Sequence, residues 1–129
     1  MAKIMVVEDN ALNIKLFCDL LAAHGHDARP VTDSREALAA AQEFRPDLII
    51  TDIQLPHISG LELIRQFRED EALAAVPIMA VTAYAAAGDD ERIRAAGATA
   101  YVSKPISVVR FVEEVTALLE QSAPAKAGA

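Results

Sequence analysis

The chain has 129 residues, the length of one domain with a single real core, and 53% of it is hydrophobic, much of that alanine, as slim and closely packed helices require. Twelve Lys and Arg against 19 Asp and Glu leave a net charge of −7, which argues against nucleic acid as a direct partner, because phosphate backbones are met by clustered cations. No apolar run approaches the ~20 residues of a membrane span, Met1-Ala2-Lys3 leads straight into a strand-like run rather than a signal peptide, and the lone Cys18 cannot close an internal disulfide, so a reducing, cytoplasmic setting is expected.

Ile4-Met5-Val6-Val7 is a continuous apolar run of the kind that forms a strand buried on both faces. Leu12, Leu16 and Leu20, with Phe17 and Leu21, then recur at helical spacing between an N-cap at Asn10 and a stop at Gly25. Asp27 to Val31 reads as a second strand, and Pro30 within it, unable to donate to a ladder, assigns it to a sheet edge. Asp33 and Glu36 have capping-box spacing and open a helix through about Phe44. Leu48-Ile49-Ile50 is the next buried strand and delivers Asp52 to its end.

Ser59 and Glu62 repeat the capping-box spacing before a helix to about Asp70. Pro77 to Val81 is a strand that begins on proline, where the missing donor costs least. Gly88 to Ala96 is a short helix with acids in its first turn, ended by Gly97, and Ala98 to Val102 is a fifth strand. Phe111, Val112, Val115, Leu118 and Leu119 form the apolar stripe of a last helix begun by Ser107. Five alternations of strand and helix imply a parallel sheet covered on both faces. The expected organisation is one domain over 1–121 and a disordered small-residue tail over 122–129.

Glu8, Asp9, Asp52, Thr82 and Lys104 each follow one of the apolar runs. In a parallel α/β sheet those carboxyl ends share one edge, where ligands bind. Three carboxylates gathered there repel one another unless a divalent cation with oxygen ligands intervenes. Asp52 can act as a nucleophile toward phosphorus, Lys104 can supply a point positive charge to a phosphoryl oxygen, Thr82 offers a hydroxyl, and Ala83 leaves a backbone N–H accessible. Acids at Glu8-Asp9 exclude a Gly-rich loop that binds phosphate by backbone amides; an FMN-binding flavodoxin-like carrier is a third reading, whose phosphate loop should be rich in Ser, Thr and Gly where Glu8-Asp9 stands. A magnesium-dependent phosphatase or phosphotransferase acting through an aspartyl phosphate is the alternative reading, but it needs an acid two residues after the nucleophile, where Gln54 stands. Cys18, His24 and His26 fit no strong zinc spacing.

Val7-Glu8-Asp9-Asn10, Asp47 to Asp52, Leu55-Pro56, Val81-Thr82-Ala83, Gly97-Ala98 and Tyr101 to Pro105 stand in one register over nearly the whole chain. The sequence resembles the response-regulator receiver domain of bacterial two-component signalling, and within that family the stand-alone members that control cell division and cell fate. The resemblance implies a doubly wound, flavodoxin-like fold with five parallel strands in the order 2-1-3-4-5 and five helices. It assigns Asp52 as the acceptor of a phosphoryl group from a kinase phosphohistidine, and the role of a non-enzymatic switch that assists its own phosphorylation and dephosphorylation. It gives Mg²⁺ (with Mn²⁺ or Ca²⁺ as substitutes) to Asp9, Asp52 and the Gln54 backbone carbonyl, with Glu8 reaching the ion through water. Lys104 would pair with the acyl phosphate beside a cis bond to Pro105, while Thr82 and Tyr101 would move on phosphorylation. Asn13, Ile14, Pro105 and Ile106 would meet partners. Those partners would be sensor histidine kinases and a histidine phosphotransferase, met by a monomer that dimerises when phosphorylated and is drawn to the cell poles by its kinases.

Overall fold

The computed structural model describes residues 2–83, 89–104 and 106–127, with side chains for all of these except 89, 90 and 121–127. Five strands, β1 (Lys3–Val7), β2 (Asp27–Val31), β3 (Leu48–Asp52), β4 (Ile78–Thr82) and β5 (Ala100–Ser103), form one parallel sheet in the order β2-β1-β3-β4-β5. The helices are α1 (Ala11–Ala23), α2 (Ala37–Phe44), α3 (Gly60–Glu69), α4 (Asp89–Ala96) and α5 (Val108–Ala127). Both the expected strand order and the edge position of the Pro30 strand are present, and Pro30 sits opposite Val6 of β1.

Alternate strand residues point to opposite faces, and the core divides accordingly. Ile4, Val6, Leu48, Ile50, Met79 and Val81 pack with Ile14, Phe17 and Leu21 of α1 and Phe111, Val115 and Leu118 of α5. Met5, Val7, Ile49, Ile78 and Ala80 pack with residues of α2, α3 and α4. Phe17 and Phe111 stack with ring centroids 5.1 Å apart, tying α1 to α5. Every residue of β3 and β4 is buried, so these two central strands reach the carboxyl edge without a solvated residue.

Local signals at helix ends held at some positions and failed at others. Asn10 caps α1, its side chain accepting from the Leu12 and Asn13 amides, and Ser59 caps α3 by accepting from Glu62 N–H at 3.2 Å. The box at Asp33 does not form. Asp33 accepts from Arg35 through both backbone and side chain, the turn Ser34–Glu36 is a 3-10 turn, and α2 starts only at Ala37 with no side-chain cap from Glu36. Periodicity also misassigned part of α1: Leu12 is 80% exposed and Leu16 44%. Ile14, Phe17 and Leu21, at i, i+3 and i+7, form its buried stripe. Gly88 and the bond to Pro105 lie outside the described residues. The last helix continues to Ala127, into the segment 122–129.

Arg68, near the end of α3, binds two loops together. Its guanidinium donates to the carbonyls of Gly97 (2.8 Å), Leu73 (3.4 Å), Ala74 (3.1 Å) and Val76 (2.6 Å) and to Thr99 Oγ1 (3.3 Å). Gly60 begins α3 against the end of β3, where a Cβ would lie 2.1 Å from the Asp52 carbonyl oxygen. Only a residue without a side chain permits that approach. Gly60→Ala, which at an open helical position would gain up to about 1 kcal/mol, is expected here to cost about 1–3 kcal/mol by overpacking; a urea midpoint equal to or above wild type would contradict this.

Candidate functional site

The carboxyl edge of the sheet gathers what its sequence positions promised. Glu8 follows β1 and donates its backbone N–H to Val31 at 3.1 Å, Asp52 ends β3, Thr82 ends β4, and Lys104 follows β5 with its backbone N–H on the Thr82 carbonyl at 2.7 Å. Glu8 is fully buried, Thr82 is 1% exposed and Asp52 6%, whereas Asp9 and Ala83 are exposed. One oxygen each from Glu8, Asp9 and Asp52 lie within 4.8 Å of one another.

The Lys104 ammonium sits 2.9 Å from Asp52 Oδ2 and 3.4 Å from Glu8 Oε1. Asn13 Nδ2 donates to Glu8 Oε1 at 2.9 Å, and Gln54 N–H donates to Asp52 Oδ1 at 3.1 Å. Glu8 Oε2 is buried with no hydrogen-bond donor. Burial first, and then the neighbouring Asp52, push the Glu8 carboxyl from 4.5 up to about 7, against the pull of Asn13 and Lys104. Burial alone would lower Lys104, but its contacts with Asp52 and Glu8 outweigh that and hold it above its ordinary value.

When all are ionised, three carboxylates face one ammonium, a deficit of two charges. An orphaned buried carboxylate oxygen and an all-oxygen donor set fit a hard divalent cation. The residues present therefore suit the ion that the spacing called for.

The β3–α3 loop beside Asp52 is anchored by a residue the sequence did not single out. Ser34, 2% exposed, donates to the Pro56 carbonyl at 2.7 Å and accepts from Ile58 N–H at 3.1 Å. Those two bonds bracket His57, whose φ is +71°. Tyr101 lies on the edge strand β5, half-buried against the α4 side of the core with the Arg94 guanidinium 5.7 Å from its ring centroid. Two of the expected partner contacts are placed otherwise. Ile14 is 7% exposed and belongs to the core, and Asn13 turns inward to Glu8; Leu12 and Leu16 carry the exposed apolar surface of α1 instead.

Residues 4–116 match the response regulator receiver domain model. The chain belongs to that family. It is 52% identical over 116 residues to the polar-differentiation response regulator DivK of Brucella anthropi, covering 90% of this chain and 94% of that protein, and DivK of Brucella ovis matches equally. Among solved structures, the chemotaxis response regulator CheY4 of Vibrio cholerae superposes with a TM-score of 0.87 at 28% identity, covering 92% of this chain and 98% of that one. The receiver domain of the Pseudomonas aeruginosa sensor histidine kinase PA1611, described with a magnesium ion coordinated in its active-site cleft, gives 0.85 at 31% identity, with the same coverages. The receiver is thus DivK-like in sequence and CheY-like in fold.

The raised Glu8 value fixes a pH dependence. Between 4.5 and about 7 the folded metal-free chain holds a proton that the unfolded chain releases, so this group makes stability fall as pH rises through that window. His26, lowered chiefly by burial, works in the opposite sense, and Lys104 contributes only at much higher pH. Glu8→Gln isolates the effect: from about pH 5 to about pH 8 without divalent metal, wild type should lose unfolding free energy relative to the variant. Parallel profiles in urea titrations would exclude it.

Proposed function

We propose that Asp52 accepts a phosphoryl group from the phosphohistidine of a sensor histidine kinase, and that the phosphorylated receiver signals through protein contacts. The carrying observation is the 2.9 Å contact of Lys104 Nζ with Asp52 Oδ2, beside two further acids and an orphaned carboxylate oxygen. An Asp52 carboxylate oxygen attacks phosphorus in line as the phosphorus–nitrogen bond breaks, and the imidazole nitrogen keeps the electron pair and takes a proton. Lys104 exchanges its carboxylate partner for the phosphoryl oxygens, and the Thr82 hydroxyl and Ala83 N–H donate to the same oxygens. Asp9, Asp52 and the Gln54 carbonyl would hold Mg²⁺, with Glu8 behind them, and the ion supplies charge neutralisation for both attack and later hydrolysis.

Identity with the Brucella polar-differentiation regulators supports a role in cell division or cell fate, with kinases of the DivJ, PleC and DivL kind as partners and as the means of recruitment to the poles. Phosphorylation would act by shifting a pre-existing equilibrium between two conformations, and so alter the activity of the kinases on which the receiver docks. The kinase-facing surface is apolar. Leu12 and Leu16 on α1 and Val108 and Val109 at the start of α5 are 80%, 44%, 47% and 69% exposed, and both helix starts follow strands that end at the site. Exposed apolar side chains on the two helices that leave the site edge suit a protein-binding surface.

Asp52→Asn should abolish phosphoryl incorporation from a phosphorylated kinase while leaving the fold intact; labelling equal to wild type would refute the assignment. Leu12→Glu should slow transfer from the kinase about tenfold, the loss of one interface anchor, while labelling by a small-molecule acyl phosphate stays at the wild-type rate. Equal slowing with both donors would place the effect in the pocket and not in docking.

A further inference from the structure

The Glu8 carboxylate ends a flexible side chain and is fully buried, yet it must present one particular oxygen to the cluster. Its Oε1 carries both available donors, Asn13 Nδ2 at 2.9 Å and Lys104 Nζ at 3.4 Å, and its Oε2 carries none. Asn13 is itself fixed. Asn10 Oδ1 accepts from Leu12 N–H and Asn13 N–H, each at 3.0 Å, which locks the first turn of α1. A chain of hydrogen bonds thus runs from the helix cap through an amide to a buried carboxylate.

The chemistry of that amide matters. It is a neutral donor, so it orients Glu8 without adding positive charge beside a cation site. It also holds the shorter of the two bonds to Oε1, leaving Lys104 closer to Asp52. We propose that Asn13 is a positioning residue for the divalent cation: it pins Glu8 Oε1 so that Oε2 keeps its lone pairs for the ion's water. This rests on the magnesium reading above. Groups that orient a metal's ligands typically account for 10–100-fold in affinity when removed. Magnesium demands near-ideal octahedral geometry whereas calcium accepts irregular shells, so a loosened Glu8 should penalise Mg²⁺ more than Ca²⁺.

The test is calorimetric titration of Mg²⁺ and of Ca²⁺ into wild type, Asn13→Leu and Asn13→Ala, with metal-free melting temperatures recorded to establish that each variant is folded. Both variants are expected to bind Mg²⁺ about 10–100-fold more weakly and to lose clearly less for Ca²⁺. Wild-type Mg²⁺ affinity in the variants would overturn the positioning role and leave the magnesium reading standing. Equal losses for both ions would also overturn it, since a geometric role must discriminate. If wild type itself takes up no Mg²⁺, the magnesium reading falls and this inference with it.

Discussion

The contact between the Lys104 ammonium and the Asp52 carboxylate is the constraint around which this molecule is arranged. Among the described residues Lys104 is the one positive side chain within bonding distance of the buried acids, and it lies 52 positions from Asp52 in the chain. Without it Glu8 and Asp52 would be two buried like charges, an arrangement costing several kcal/mol per ion. With it the pocket is still two charges short, and the strain is visible in Glu8, which holds its proton to about pH 7. In the proposed function a dication supplies the missing charge, and a phosphoryl group takes the ammonium.

The fold supplies this constraint cheaply. Parallel strands all end at one edge, so acids placed after β1 and β3, a hydroxyl ending β4 and a lysine after β5 converge without any long loop. The same pairing that carries the sheet carries the site: the Lys104 backbone N–H on the Thr82 carbonyl extends the β4–β5 ladder by one step. Close approach of α3 to Asp52, with no room for a Cβ at Gly60, fixes the remaining side.

Much of this was legible in the residues. Continuous apolar runs identify β1, β3 and β4 because strands buried on both faces have no alternation to hide, and Pro30 identifies the edge because a missing N–H has one tolerable place. The failures share a different cause. The first turns of α1 are apolar on more than one side, so spacing alone could not separate Ile14 and Phe17, which meet the sheet, from Leu12 and Leu16, which meet solvent. Glu36 had the right interval from Asp33, but Arg35 lies between them and takes the Asp33 carboxylate. Ser34 and Asn13 escaped notice as pocket residues because their partners, the Pro56 and Ile58 backbone and the Glu8 carboxylate, become neighbours only through tertiary packing.

In the proposed mechanism phosphorylation replaces the singly charged Asp52 by a dianionic acyl phosphate, and Lys104 must follow the new oxygens. Its backbone is bonded to the end of β4, and its side chain leaves Glu8, whose other restraint is Asn13 at the start of α1. In that mechanism a single ammonium displacement would act on both flanks of the site, on the β4–β5 edge beside Tyr101 and on the helix that carries Leu12 and Leu16. An allosteric effect needs an element whose two arrangements a ligand can distinguish by charge. A lysine shared between two buried carboxylates would meet that requirement, because the negative charge it must satisfy changes position and size when the acyl phosphate forms.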